Sequence, residues 1–287
     1  VEFKRCLEGW GAKAGILREG GQRALCTAAA GEQNAAKTRP GMGAQATGTG
    51  LEGERGRQAA GGFGMLRCFE EGVDASRVDR ESFVCGHKLM GHPALSLESL
   101  CRVLPQLPPG QVMYATRRLA TADNFEKTFK QSPLDRSVAQ TIETIRESDS
   151  YIMVNSPQVD DSFKELYQDL IHDVESLMHE RGLGTTAISP KLYLFIASPN
   201  SVTPFHIDRY STFLMQFRGS KSVTVSDPWD DRVVTSPDRE NYVAYVSTQL
   251  PWSPETDRIS TRYQFEPGQA LHIPFVAGHH VHNGPDD

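Results

Sequence analysis

From Lys191 to the end, the chain is a succession of short apolar runs at 191–197, 212–217, 221–226, 242–247, 262–265, 270–273 and 279–282. Pro, Gly, Asn and Asp punctuate them, and no stretch of helical period falls between them. Parallel strands need long crossovers, usually helices, so a run of strands without intervening helices argues against a parallel α/β sheet. The pattern predicts a mostly β fold, a sandwich or barrel, with α-helices flanking it.

The helical signals come earlier. Ser96 and Glu98 open an amphipathic segment through Leu100, Val103 and Leu104 that stops at Pro105. A second segment has Val138, Ile142 and Ile145 at helical spacing. The longest, residues 160–181, carries Phe163, Leu166, Leu170, Val174 and Leu177 on one stripe and meets Gly182 as its stop. That stripe is expected to face the core or a dimer contact. Strands are also expected at 111–116 and 151–154.

Residues 1 to 64 differ in texture. They hold 15 of the 25 glycines and show no apolar period of either 2 or 3.6. Such a segment buries too little apolar surface to offset the entropy of ordering it, so it is expected to be an unpacked or non-native extension. Met65 then marks the start of the globular part, 65–287. The net charge of −6 argues against a general nucleic-acid surface. Cys6, Cys26, Cys68, Cys85 and Cys101 are odd in number and lack C-x-x-C spacing, which fits reduced thiols. No apolar run is long enough to span a membrane, so the expected location is the cytoplasm.

The chemistry is concentrated in Thr203-Pro-Phe-His206-Ile-Asp208, Arg218-Gly-Ser-Lys221 and the tract from Pro267 to Asn283. Residues two apart on a strand project to one side, so His206 and Asp208 can share an ion. With 9 histidines and 17 aspartates, chance supplies roughly half an H-x-D in such a chain, so the tripeptide alone is weak. A third ligand must come from elsewhere, and His272, His279, His280 and His282 all compete for that place. Two imidazoles and a carboxylate on one face of an ion leave positions open for a chelating co-substrate and dioxygen.

From about Phe83 onward the chain resembles the cupin-like branch of the JmjC oxygenases. Residues 191–226 are similar to the asparaginyl hydroxylase that acts on hypoxia-inducible factor. The tract T-P-x-H-x-D and a Gly-x-Lys whose lysine stands 13 residues after the aspartate carry the resemblance, with I-P-x-x-x-x-H-x-V downstream. The resemblance implies a double-stranded β-helix, the cupin-type jelly roll. It selects His279 as the third ligand beside His206 and Asp208, with Fe(II) as the metal. It gives Lys221 and Thr203 to the distal carboxylate of 2-oxoglutarate and places Thr212 near its inner carboxylate. Ala277 and Gly278 depart from the bulky aromatic residues that often precede the distal histidine, so a thinner wall is expected there. The chain ends eight residues past His279, so the last jelly-roll strands and any C-terminal dimerisation helices are expected to be absent.

The function expected is Fe(II)- and 2-oxoglutarate-dependent hydroxylation of a protein or peptide side chain, or of a small molecule. No nucleic-acid or membrane partner is expected, and a homodimer is allowed. The alternatives are a metal-binding cupin without oxygenase activity, isomerase-like or sensory, and an inactive truncated fragment. A histidine hydrogen-bonded to a nearby carboxylate is the bland reading of His206 and Asp208.

Overall fold

The protein is described by a computed structural model covering residues 65–115, 117–129 and 137–285, together with the backbone of 2–6. Eleven strands occur among these residues, in two antiparallel sheets. In chain order they are β1 (Glu2–Cys6), β2 (Phe83–Gly86), β3 (Val112–Ala115), β4 (Tyr151–Asn155), β5 (Ile188–Ala197) and β6 (Val202–His206). These are followed by β7 (Ser211–Met215), β8 (Lys221–Val225), β9 (Thr261–Phe265), β10 (Gln269–Ile273) and β11 (His279–Asn283). The larger sheet has the order β2-β10-β7-β1-β5-β4-β3, and the smaller β6-β11-β8-β9.

Alternation along the strands separates the layers. Leu214, Leu271 and Ile273 from the larger sheet pack against Val223, Val225, Phe265 and Val281 from the smaller. This is the interior of the jelly roll, and residues two apart on each strand line it. The opposite face of the larger sheet, with Leu192, Leu194, Phe213 and Met215, is covered by helices α1 (Leu97–Val103) and α4 (Lys164–Arg181). Between them in sequence lie α2 (Phe125–Thr128) and α3 (Val138–Glu143). The smaller sheet's outer face is covered by the segment containing α5 (Ser236–Val243), with Phe205 and Ile207 packed on Val233, Val234 and Tyr242.

The α4 stripe lies in the core. Phe163, Leu166, Leu170, Val174 and Leu177 are all at most 3% exposed, which accounts for the helix without a dimer contact. Gly182 closes it at φ +78°, a left-handed backbone that favours glycine. The helix also carries Asp173, 0% exposed, whose carboxylate accepts the backbone N–H groups of Arg67, Cys68 and Phe69 at 2.8, 2.7 and 3.0 Å. That single side chain fixes the path by which the chain enters the globular part.

Two expectations need correction. Residues 242–247 are not a strand: they form the end of α5 and the turn after it. Thr235 caps this helix by accepting from the Asp238 N–H, Pro237 sits in its first turn, and Tyr242 anchors it in the core. The expectation of an unpacked segment over 1–64 does not extend to Glu2–Cys6, which form a central strand; residues 7–64 lie outside the described residues. In the larger sheet β1 stands between β5 and β7. Cys68, Cys85 and Cys101 are free thiols, and burial pushes those of Cys68 and Cys85 above their ordinary range. Among the described residues, no helix is long and apolar enough to cross a membrane.

Candidate metal centre

His206 is the last residue of β6, and Asp208 follows just past the strand. His279 opens β11 and pairs in register with His206 on one side and with Val225 on the other. The three side chains therefore meet because two neighbouring strands bring them to the same level on the interior face. Their ligand atoms lie within 4.8 Å of one another, and all three residues are at most 4% exposed. His206 Nε2 is 3.9 Å from Asp208 Oδ1, and His279 Nε2 is 3.8 Å from Asp208 Oδ2. These separations are too long for hydrogen bonds but suit atoms that converge on one ion.

The second nitrogen of each ring decides what the first can do. His206 Nδ1 lies 2.7 Å from the Pro204 carbonyl, and His279 Nδ1 lies 2.9 Å from that of Ala277. A carbonyl only accepts, so each Nδ1 carries the proton and each Nε2 presents its lone pair inward. Phe125 from α2 stacks on the His206 ring at 4.1 Å and 16°. Thr212 on β7 donates its hydroxyl proton to Asp208 Oδ2 at 2.8 Å. Such partners fix ring and carboxylate orientation before a metal arrives. The donor set, two neutral imidazoles and a carboxylate, fits a divalent first-row ion with positions left over for other ligands.

The competing histidines are disposed of by strand parity. His280 and His282 alternate with His279 and point to the outer face, where His280 Nε2 meets Asp257 at 3.0 Å and Trp252 donates to the same carboxylate. His272 lies on the helix-facing side of β10, fully buried between Phe83 and Phe213. Its Nδ1 donates to the Thr212 carbonyl at 3.0 Å, and its Nε2 accepts from the Asp79 N–H at 3.0 Å. His87 and His92 take local roles, His87 against the Gln216 carbonyl and His92 as a cap on Ala94.

The interior continues from the histidines toward Lys221. The β6 to β11 pairing shifts between His206↔His279 and Thr203↔Val281. The irregularity lets Thr203 and His206, three residues apart, both face inward. Thr203 is 5% exposed, and its hydroxyl lies 2.8 Å from that of Tyr151 on β4. Lys221, half-buried at the start of β8, stands opposite Asn283, four residues along from the His279↔Val225 pair. That is about 13 Å of strand. Tyr151 is the residue that sequence reasoning passed over. It reads as one more apolar member of a strand, and only its pairing with Ala197 and its reach to Thr203 reveal it.

The wall before His279 is not thin. A Cβ on Gly278 would lie 2.7 Å from Phe205 and 3.1 Å from Val234, so those side chains fill the place where bulk was expected. The acidic group 227–231 is a turn held by arginines, Asp230 with Arg232 and Asp231 with Arg239, both at 2.6 Å.

Two solved structures of the ribosomal oxygenase YcfD from Escherichia coli resemble the chain. One, in complex with cobalt and succinic acid, is 13% identical, covering 72% of this chain and 45% of that one, with a TM-score of 0.44. The other, in complex with cobalt and 2-oxoglutarate, is 15% identical with the same coverage and a TM-score of 0.39. The chain thus spans less than half the length of those proteins. No curated protein matches it. The family model described as a cupin-like domain matches residues 97–285, about two thirds of the chain, a stretch that includes both sheet segments bearing the histidines. By that match, the chain belongs to the cupin-like domain family.

Proposed function

We propose that the protein is an Fe(II)- and 2-oxoglutarate-dependent oxygenase that hydroxylates a side chain of a protein or peptide. The observation that carries this reading is the inward convergence of two Nε2 lone pairs and one carboxylate, with both Nδ1 protons tied to backbone carbonyls. When bound, such a centre supplies the oxidative decarboxylation of 2-oxoglutarate to succinate and CO2, coupled to hydroxylation of a substrate C–H.

The chain's own residues give the co-substrate a place. Lys221 offers an ammonium to its far carboxylate, with the Thr203 and Tyr151 hydroxyls alongside, while His206, Asp208 and His279 hold the metal at the near end. A five-carbon dicarboxylate and an extended lysine together span the strand distance between them. An ammonium beside the interior has its desolvation offset by such an anion. The interior aliphatic residues Val223, Val225, Leu214 and Leu271 exclude water around it.

On the metal's other side, a space of about 200 Å³ opens between Tyr193, Tyr210, Tyr242 and Tyr245, with Glu126 and Arg209 at its edge. It is sized for one side chain. Tyr245 at its rim is 68% exposed and Val246, next to it in sequence, is 74% exposed, a surface on which a polypeptide carrying that side chain could rest.

The test is succinate formation from 2-oxoglutarate in the presence of Fe(II) and oxygen. The wild type is expected to release succinate slowly even without its prime substrate. Lys221→Ala should lose most of this through a raised KM for 2-oxoglutarate, with metal content unchanged. Metal binding without succinate in any condition would instead support a cupin of non-oxygenase chemistry.

A further inference from the structure

The larger sheet is continuous only through β1. In register, Glu2 stands between Tyr193 and Leu214, Phe3 between Leu192 and Phe213, and Lys4 between Lys191 and Thr212. A five-residue strand thus occupies a central position, antiparallel to both neighbours, while residues 7–64 separate it in sequence from the rest of the fold. β5 runs on through Leu194 to Ala197 beyond the last pair with β1. Between those residues and Met215 to Arg218 lies a cavity of about 190 Å³ that Lys221 also lines.

We propose that the slot between β5 and β7 is a strand-acceptor site for an extended peptide, that Glu2–Cys6 of the same chain is its occupant, and that occupancy sets the metal centre. Two flanking strands offer backbone donors and acceptors on both sides, which is the recognition mode by which peptides add to sheets. A short strand joined through a long connection enters and leaves without unfolding the rest, so its occupancy is an equilibrium of its own. Transmission to the site is direct. The residue paired with Lys4 is Thr212, whose hydroxyl holds Asp208 and whose carbonyl accepts from His272. With the slot empty, β7 is paired on one edge only, through β10, and Asp208 loses its fixed partner. The effect on the metal rests on the reading of the site given above; the binding of the peptide does not.

The experiment uses a fluorescent peptide of residues 1–8 and two proteins, the full chain and a chain lacking residues 1–6, followed by anisotropy without metal. The peptide should bind the shortened chain saturably and at least tenfold more tightly than the full chain. A peptide carrying three added N-terminal alanines, which reach into the open cavity, should bind more tightly still. Cobalt affinity should fall at least tenfold on deletion and return when the peptide is added. No binding to a shortened chain that keeps its circular dichroism overturns the proposal, as does equal binding to both chains. If the shortened chain does not fold, Lys4→Pro in the full chain replaces it, because proline removes a ladder donor from a central strand. Faster amide exchange over residues 191–193 and 212–214 is then expected, and unchanged exchange overturns the assignment. A dimer that the deletion converts to monomer would overturn the same-chain occupant in favour of a second copy. Peptide binding in a protein that never chelates 2-oxoglutarate would sink the oxygenase reading and leave this one standing.

Discussion

The tautomers of two histidines carry most of the chemistry. Because Pro204 and Ala277 lend their carbonyls to the Nδ1 protons, His206 and His279 need no rearrangement to ligate. Thr212 performs the same service for Asp208. The resemblance had set Thr212 beside the co-substrate, and the two roles separate by experiment. Thr212→Val keeps the shape and removes the donor, so metal affinity should fall about tenfold or more, as read by titration with Co(II). A raised KM for 2-oxoglutarate with metal affinity intact would return Thr212 to the co-substrate. At this scale His206 and Asp208 were legible as a pair able to share one ion, since they belong to one short segment, but it took the surrounding tract to raise the tripeptide above chance. His279 was not separable from His280 and His282 by composition. What separates them is which face of β11 each occupies, and that is set by register against β6 and β8. Tyr151 was illegible for the same reason: its hydroxyl matters only through a partner 52 positions away.

Among the elements, α4 was the most readable, because five apolar side chains at helical spacing and a terminal glycine leave few alternatives. What its sequence did not announce is Asp173, a carboxylate on the buried face that satisfies three backbone donors. Asp173→Ala leaves those donors without that partner, two of them, on Cys68 and Phe69, in a buried place. It should cost about 3 to 5 kcal/mol, measured as a loss of unfolding free energy in urea. A loss below about 1 kcal/mol would mean that the segment at 67–69 finds other partners. The error at 242–247 has a comparable cause. Tyr242, Val243, Tyr245 and Val246 have the composition of a strand, but the Thr235 cap and Pro237 start a helix that outlasts the local β preference.

For the molecule as a whole, the strand sequence after Lys191 sufficed to predict an antiparallel sandwich or barrel, and the pairing of its two sheets follows that expectation. The position of β1 did not follow, because a central strand supplied from the far end of the chain leaves no local trace. Folding also ties stability to pH through buried histidines. Burial lowers the pKa of His87 below its ordinary 6.5, against the opposing bond to the Gln216 carbonyl, and lowers that of His280 against Asp257. As pH falls through 6.5, the unfolded chain takes up protons that the folded chain refuses, so stability is present above that pH and declines below it. The slope is at most about 1.4 kcal/mol per pH unit for each histidine. Urea midpoints between pH 7 and pH 5 should fall accordingly, and His87→Gln should flatten the decline; an unchanged profile in that variant would show that His87 is protonated at no cost.

The central claim is that His206, Asp208 and His279 hold iron with room for a diacid anchored at Lys221. It is tested most directly by adding Fe(II) and then 2-oxoglutarate to the protein without oxygen and recording the visible spectrum. A weak charge-transfer band is expected in the wild type, absent in His206→Ala and shifted to higher 2-oxoglutarate concentration in Lys221→Ala. Stoichiometric iron with no band at saturating 2-oxoglutarate, or a band that survives His206→Ala, would contradict it.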